Sequence, residues 1–456
     1  EPLQLDKVYL NEGTFRLTAG AFTWDGGSLG TTDLLIDSGA RLMVEGSAAT
    51  VGSIAAVSSS LDTMIDLPRT TSSLTVKGNS TFAGRIGGSG SVVVDANVTL
   101  TGKNTYAGNT RIKSGATLQL QNEGVLGATA ISSTARGAYG GNIEVDGSLV
   151  VQPTRQQRFD GSLSGSGTIT KPGSSVMGVT DASNFNSSIT VSGGVLRLYA
   201  NNALSGSASV ELQGNAELDL NNRSTSLGKL MGSSSSSIAR IKTGQLTLTS
   251  SDNYSFAGTL GGSGELVKQG AGQLTLTGTQ SANLTTTIDG GTVRLHSNTP
   301  SFGVYYKGSG SLVVESIDES FSEPVDVTAT IANLSSLRIG KANNTGEINL
   351  KNVAAIEGGV TVHAGGFDLS NVAFLGSNAD DVTVNTSGLT GAGEIFVDTG
   401  TLTINQSSAS SYGGMIRGGG QLVLDGSSTL TLTGKNVYTG NTTIQSGTSL
   451  VVGGDG

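Results

Sequence analysis

The chain has 456 residues, among them 69 glycines, 6 prolines, two histidines and no cysteine. That composition excludes disulfide frameworks, cysteine-ligated metal clusters and cysteine nucleophiles, and it leaves His296 and His363 as the whole supply of imidazole. Charged residues make up only 13% of the chain, too few for a charge-driven disordered polymer, and the net charge of −9 has the wrong sign for a phosphate-binding surface. No apolar run is long enough for a membrane helix, and the opening Glu1-Pro2-Leu3 has neither the basic region nor the apolar core of a signal peptide.

In chain order, the first predicted strand is opened by Gly13 and carries Phe15 and Leu17. A longer pattern follows, aromatic-x-Gly-x-aliphatic-x-Gly-x-Gly, at Phe82, Gly84, Ile86, Gly88 and Gly90. It returns at Phe159 to Gly167, at Phe256 to Gly264 and at Tyr412 to Gly420. Every constrained position has the same parity, which is the period of a strand and does not fit a helix. Between these copies lie short strands opened by a turn glycine: Gly194 with Leu196 and Leu198, Gly214 with Leu218 and Leu220, Gly272 with Leu274 and Leu276, Gly291 with Val293 and Leu295, and Gly400 with Leu402 and Ile404. Residues 102–118 return almost verbatim at 434–450, including Asn104, Tyr106, Asn109 and Ile112 against Asn436, Tyr438, Asn441 and Ile444. The aromatic starts lie 77, 97 and 156 residues apart, each close to a multiple of 19 to 20.

A unit that small cannot bury its apolar face alone and must stack on its neighbours. The expected fold is all-β, a right-handed parallel β-helix, or β-solenoid, with protruding loops or hairpins. The whole of 1–456 is expected to form a single domain around a continuous column of aliphatic side chains. Segments 47–73, 121–158, 199–240 and 298–345 fit the repeat poorly and are expected to leave the coil as insertions, the usual place for a binding face.

The run from Phe256 through Leu266, Lys268, Gly270, Gly272, Leu274, Leu276 and Gly278, together with Asn104-x-Tyr106-x-Gly108 and Asn436-x-Tyr438-x-Gly440, resembles the autotransporter-associated β-strand repeat found in passenger domains of Gram-negative type V secretion proteins. The resemblance implies secretion through the outer membrane by a C-terminal barrel and display at the cell surface. It also implies a role in adhesion, aggregation or biofilm formation without catalysis. The closing residues Val451 to Gly456 lack the alternating strands of a membrane barrel, which is expected to lie outside this chain.

The motifs that suggest catalysis fail on context. Gly26-Gly27-Ser28-Leu29-Gly30 has nucleophile-elbow spacing, but no strand-to-helix alternation surrounds it. Asp37-Ser38-Gly39 precedes both histidines, the reverse of the chymotrypsin-like order. Asp380, Asp381 and Asp398 lack calcium-loop spacing, and no metal or cofactor is expected. A polysaccharide-acting enzyme on a β-helix is the remaining catalytic alternative, and it would need a cluster of acids and bases that the sequence does not show.

The candidate sites are therefore surfaces. Tyr305, Tyr306 and Lys307, followed by Asp318 and Glu319, place aromatics beside charges in one expected insertion, as a protein or glycan partner would require. Arg155 and Arg158 could meet an anionic glycan through their planar forks. Alternation in Leu-Thr-Leu-Thr strands turns Thr247, Thr249, Thr275, Thr277, Thr431 and Thr433 outward, and stacked rows of hydroxyls could bind another copy of the chain. Threonine is also simply a good β-former on a solvated face. The expected partners are a host extracellular matrix protein or glycan, another copy of the chain on a neighbouring cell, or both; nucleic acid is not expected, and membrane only through the barrel.

Overall fold

The computed structural model describes residues 3–5, 13–57, 62–128, 136–351, 358–369 and 381–453, which contain strands and turns and no helix. Two compact units, Glu1–Arg240 and Ile241–Gly456, divide the chain.

In the first unit, strands pair in parallel with partners one coil further on, as Leu74 does with Val92 and Val98 with Leu118. Three sheets result. One holds five strands from Leu3–Leu5 to Arg85–Gly88, and a second holds eleven from Thr14–Leu17 to Lys229–Met231. The third runs within the unit from Gly27–Ser28 to Glu217–Asp219. Alternation sends every second side chain inward, so register stacks like on like: Val98, Leu118, Leu149, Ile169, Ile189, Val210 and Leu230 form one buried column. Each such side chain contributes roughly 1.5–3 kcal/mol on burial, so a chain with only 36% hydrophobic residues still has a substantial core.

The second unit repeats the scheme. Its longest sheet has ten strands from Tyr254–Phe256 to Thr442–Ile444, with Leu274, Val293, Leu312, Leu337, Val360, Val382, Leu402 and Leu422 stacked inward. A second sheet runs from Gln245–Leu248 to Thr330–Ile331, and three shorter ones carry the coils beyond Val325–Val327.

The repeat glycines have a steric cause. A Cβ on Gly102 would lie 2.1 Å from the Gly84 carbonyl oxygen, on Gly278 2.2 Å from that of Gly258, and on Gly434 1.9 Å from that of Gly414. Each motif glycine therefore lies against the motif glycine of the preceding coil, at a corner where no side chain fits. Asn104 closes the same corner: its Oδ1 accepts the Ile86 N–H at 3.0 Å, and its Nδ2 donates to Gly102 O and Val125 O. Asn436 repeats the arrangement with Ile416 and Gly434, so these asparagines bind backbone between coils.

One expectation is corrected. Segments 47–73, 121–158, 199–240 and 298–345 do not leave the coil as whole insertions. They contain Ala49–Val51, Ile143–Val145, Ser209–Leu212 and Tyr305–Lys307, all paired in the parallel ladders. The Gly-rich spacing marks tight corners, whereas a coil needs only inward aliphatic alternation, which Ser209-Val210-Glu211-Leu212 supplies without it.

Lys171 and Lys268 occupy inward positions and are fully buried. Lys171 Nζ donates to Gly173 O and, at 3.3 Å, to Gly193 O, so the ammonium caps corner carbonyls of two coils. Lys268 Nζ donates likewise to Gly270 O. Burial pulls the Lys171 ammonium down to about 8. The folded state thus binds this proton less tightly than the unfolded chain does, with its ordinary value near 10.4. The resulting penalty is complete below pH about 8 and fades as pH rises to about 10.4, so the native protein is expected to gain on the order of 2 kcal/mol across that window from this residue. Lys171→Met should lack that rise. Denaturant unfolding of both proteins at the two ends of the window checks it.

Candidate ligand-binding surface

Tyr305–Lys307 is a strand, and adjacent residues in a strand face opposite ways. Tyr306 points inward, in register with Leu246, Leu266, Thr286 and Ile331, and is fully buried. Its hydroxyl donates to Gln280 Oε1 at 2.8 Å and accepts the Gly303 N–H at 3.1 Å. The expectation that both tyrosines are exposed together fails on this alternation. Tyr305 points outward, in line with Gln245, Glu265, Thr285 and Thr330. Lys307 lies 5.9 Å from its ring centroid and 3.7 Å from a Glu265 oxygen.

Asp318 and Glu319 lie on a different element, the exposed turn after Ser311–Glu315. Asn298 organises that turn: its Oδ1 accepts from Ser316 Oγ and the N–H groups of Ile317 and Asp318, while its Nδ2 donates to Asp318 Oδ2 at 2.7 Å. In the first unit, Arg155 pairs with Glu123 at 3.4 Å, and Arg158 donates to Asp160 at 2.7 Å while lying 5.3 Å from the Tyr199 ring centroid. Both forks are already engaged by carboxylates, which weakens them as anion receptors.

The six threonines do not share one row. Thr247 stands in line with Val267, Thr287 and Lys307, on the face that carries Tyr305. Thr275 belongs to the ten-stranded sheet between Ser255 and Arg294, and Thr431 to a three-stranded sheet between Ser411 and Val451. A threonine row does exist elsewhere, at Thr361, Thr383 and Thr403.

Clefts also lie in the outer surface of the second unit, lined by residues such as Asn344, Asn385, Asn405, Gly366 and Gly388. Two adjoining clefts of about 470 and 490 Å³ share Ser387. His363, Asn385 and Asn405 stand one coil apart along one wall of the first, and Asp425 continues their row. Asn344, itself buried, fastens the coil above by donating to His363 O at 2.8 Å and accepting from Phe321 N–H at 3.0 Å. Burial and the charge of Arg338 hold the His363 imidazole below its ordinary value, so it is neutral near pH 7. Sequence reasoning passed over this row, although Thr361-Val362-His363, Thr383-Val384-Asn385 and Thr403-Ile404-Asn405 repeat one pattern at 22- and 20-residue spacing. Among the described residues, no group of three or more His, Asp or Glu side chains is placed to hold a metal ion. Asp381 and Asp398 are described, while Asp380 lies outside the described residues.

Residues 96–120, 266–295 and 422–448 match the family described as the passenger-associated transport repeat. These stretches include the Asn104 corner, the Lys268-to-Leu295 coils and the Asn436 corner. The chain carries passenger-associated transport repeats. It is 27% identical over 416 residues to the Adhesin BmaC autotransporter of Brucella suis biovar 1 (strain 1330). That alignment covers 84% of this chain but 12% of the relative, so the chain spans about an eighth of the relative's length. No solved structure matches it.

Proposed function

We propose that this chain is an autotransporter passenger, secreted through the outer membrane and displayed at the cell surface as an adhesin that holds host matrix proteins or glycans through the outer faces of its coils, without a chemical step. The similarity to a protein named an adhesin supports the role. The observation that carries the reading is structural: register repeats the same outward polar side chain from coil to coil, as in Thr361, Thr383 and Thr403, so weak contacts of about 1 kcal/mol each can add along an extended partner. Tyr305 and Lys307, flanked by Glu265, are the best-placed aromatic and charged pair for a protein partner.

Display of the passenger on a non-adherent bacterium should confer attachment to immobilised matrix proteins or glycans. Display without gain in attachment or clumping would refute the reading. Sedimentation of the purified passenger from about 1 to 100 µM separates the two partner types, since weak self-contacts are populated in that range. A monomer throughout fits a host ligand, and reversible dimers would favour self-association.

A further inference from the structure

We infer that the paired clefts lined by His363, Asn385, Asn405, Gly366 and Gly388 bind a neutral, hydroxyl-rich polysaccharide strand running across the coils. This rests on the adhesin reading and names a ligand class and a place for it. Glycines on the outer face help to make the depression. At Gly365 the coils meet as bare backbone, since a Cβ there would lie 1.8 Å from Thr345 O. Gly366 and Gly388 line the second cleft without side chains, and a Cβ on Gly366 would meet only Glu347 Cγ at 3.7 Å. The second cleft is therefore open in part because these two positions carry no side chain.

Its chemistry selects the ligand. Asn385 and Asn405 each carry two donors and two acceptor sites, yet they spend little on the protein: Asn405 Nδ2 reaches Asn385 Oδ1 at 3.4 Å, and Asn385 Nδ2 reaches Val362 O at 3.5 Å. The neutral His363 ring adds one donor and one acceptor, and Ser407 and Ser408 add hydroxyls. Among the described residues no lysine or arginine lines either cleft, while Glu347 and Asp368 line the second. An anionic glycan would meet these carboxylates with no cation in the lining beside them, whereas sugar hydroxyls match alternating donors and acceptors. The wall repeats at the coil spacing of about 4.8 Å, which favours a linear, periodic ligand over a compact one.

The test uses the whole purified passenger with cellohexaose and N-acetylated chitohexaose as neutral probes and a hyaluronan oligosaccharide as the anionic control. Binding is followed by calorimetry and by the two histidine Cε1–H resonances, assigned with His363→Gln. A neutral probe should bind and move the His363 signal but not that of His296. Asn385→Ala with Asn405→Ala should weaken it about tenfold or more, two lost hydrogen bonds' worth. Gly366→Val is a second, independent variant: its Cβ meets only Glu347 Cγ at 3.7 Å, so it fills the groove while every polar group stays, and it too should weaken binding. Circular dichroism unchanged from the native passenger certifies each variant's fold. Binding that moves neither histidine and survives both variants overturns the inference and leaves the adhesin reading standing, as does attachment of displayed cells to matrix proteins with no oligosaccharide bound. Tighter binding of hyaluronan than of the neutral probes also overturns it.

Discussion

Tyr306→Ala is expected to destabilise the second unit by about 3–5 kcal/mol, while Tyr305→Ala next to it changes stability by less than about 0.5 kcal/mol. The asymmetry follows from the pleat. Tyr306 fills an inward position between Thr286 and Ile331, and no neighbour in a stacked coil can collapse into the space it leaves. Tyr306→Phe separates the two parts of the cost. It keeps the ring but removes the acceptor for Gly303 N–H and the donor to Gln280, for about 1–3 kcal/mol. Burial also pushes the Tyr306 phenol far above its ordinary range, so it stays protonated in the folded state through mild alkali. Denaturant unfolding of the three variants checks the order. The consequence for function is practical: a double substitution at Tyr305 and Tyr306 would lose binding through misfolding, so Tyr305→Ala alone tests the outer face.

Much of the fold was legible because its causes are local and periodic. Glycine at a coil contact and aliphatic residues on one parity can be counted in a sequence, and the stacked pairs Gly84 with Gly102 and Gly414 with Gly434 are what that counting detects. Coils built without the glycine signature, such as those holding Ser209–Leu212 and Ser336–Ile339, were mistaken for insertions because alternation alone is a weaker signal over four residues. The candidate surfaces were less legible. That Thr247, Thr275 and Thr431 fall on three sheets depends on where each coil turns, which spacing does not fix. The inward turn of one tyrosine in Tyr305-Tyr306 was available from parity, but choosing which one required the register with Leu246 and Leu266. The cleft was hidden for another reason: it is opened in part by side chains that are absent, at Gly366 and Gly388, and a motif search looks for those that are present.

Glu315→Ala is expected to cost about 3 kcal/mol, toward the lower end for breaking a buried ion pair because both partners keep some contact with water. Glu315 ends the strand Ser311–Glu315 with its side chain 6% exposed, and it bridges Arg294 on one coil, with Nε at 2.5 Å, and Arg338 on another, with Nη2 at 2.6 Å. Burial pushes this carboxyl upward, but the hydrogen bonds and charges of the two arginines outweigh it and hold the group below its usual range. A lowered folded value means that the stabilisation is complete above the unfolded value of about 4.3 and is lost as pH falls through the folded one. The native protein should therefore lose stability in acid through this residue, and Glu315→Gln, which keeps the shape and removes the titration, should show a shallower acid limb. Because each coil contacts only its neighbours, the damage should stay local. Hydrogen exchange in Glu315→Ala is expected to quicken in Thr292–His296 and Ser336–Ile339, the strands on either side, while Ser188–Val191 in the first unit keeps its native protection. Uniform loss of protection across both units would show instead that the bridge holds more than the coils it touches.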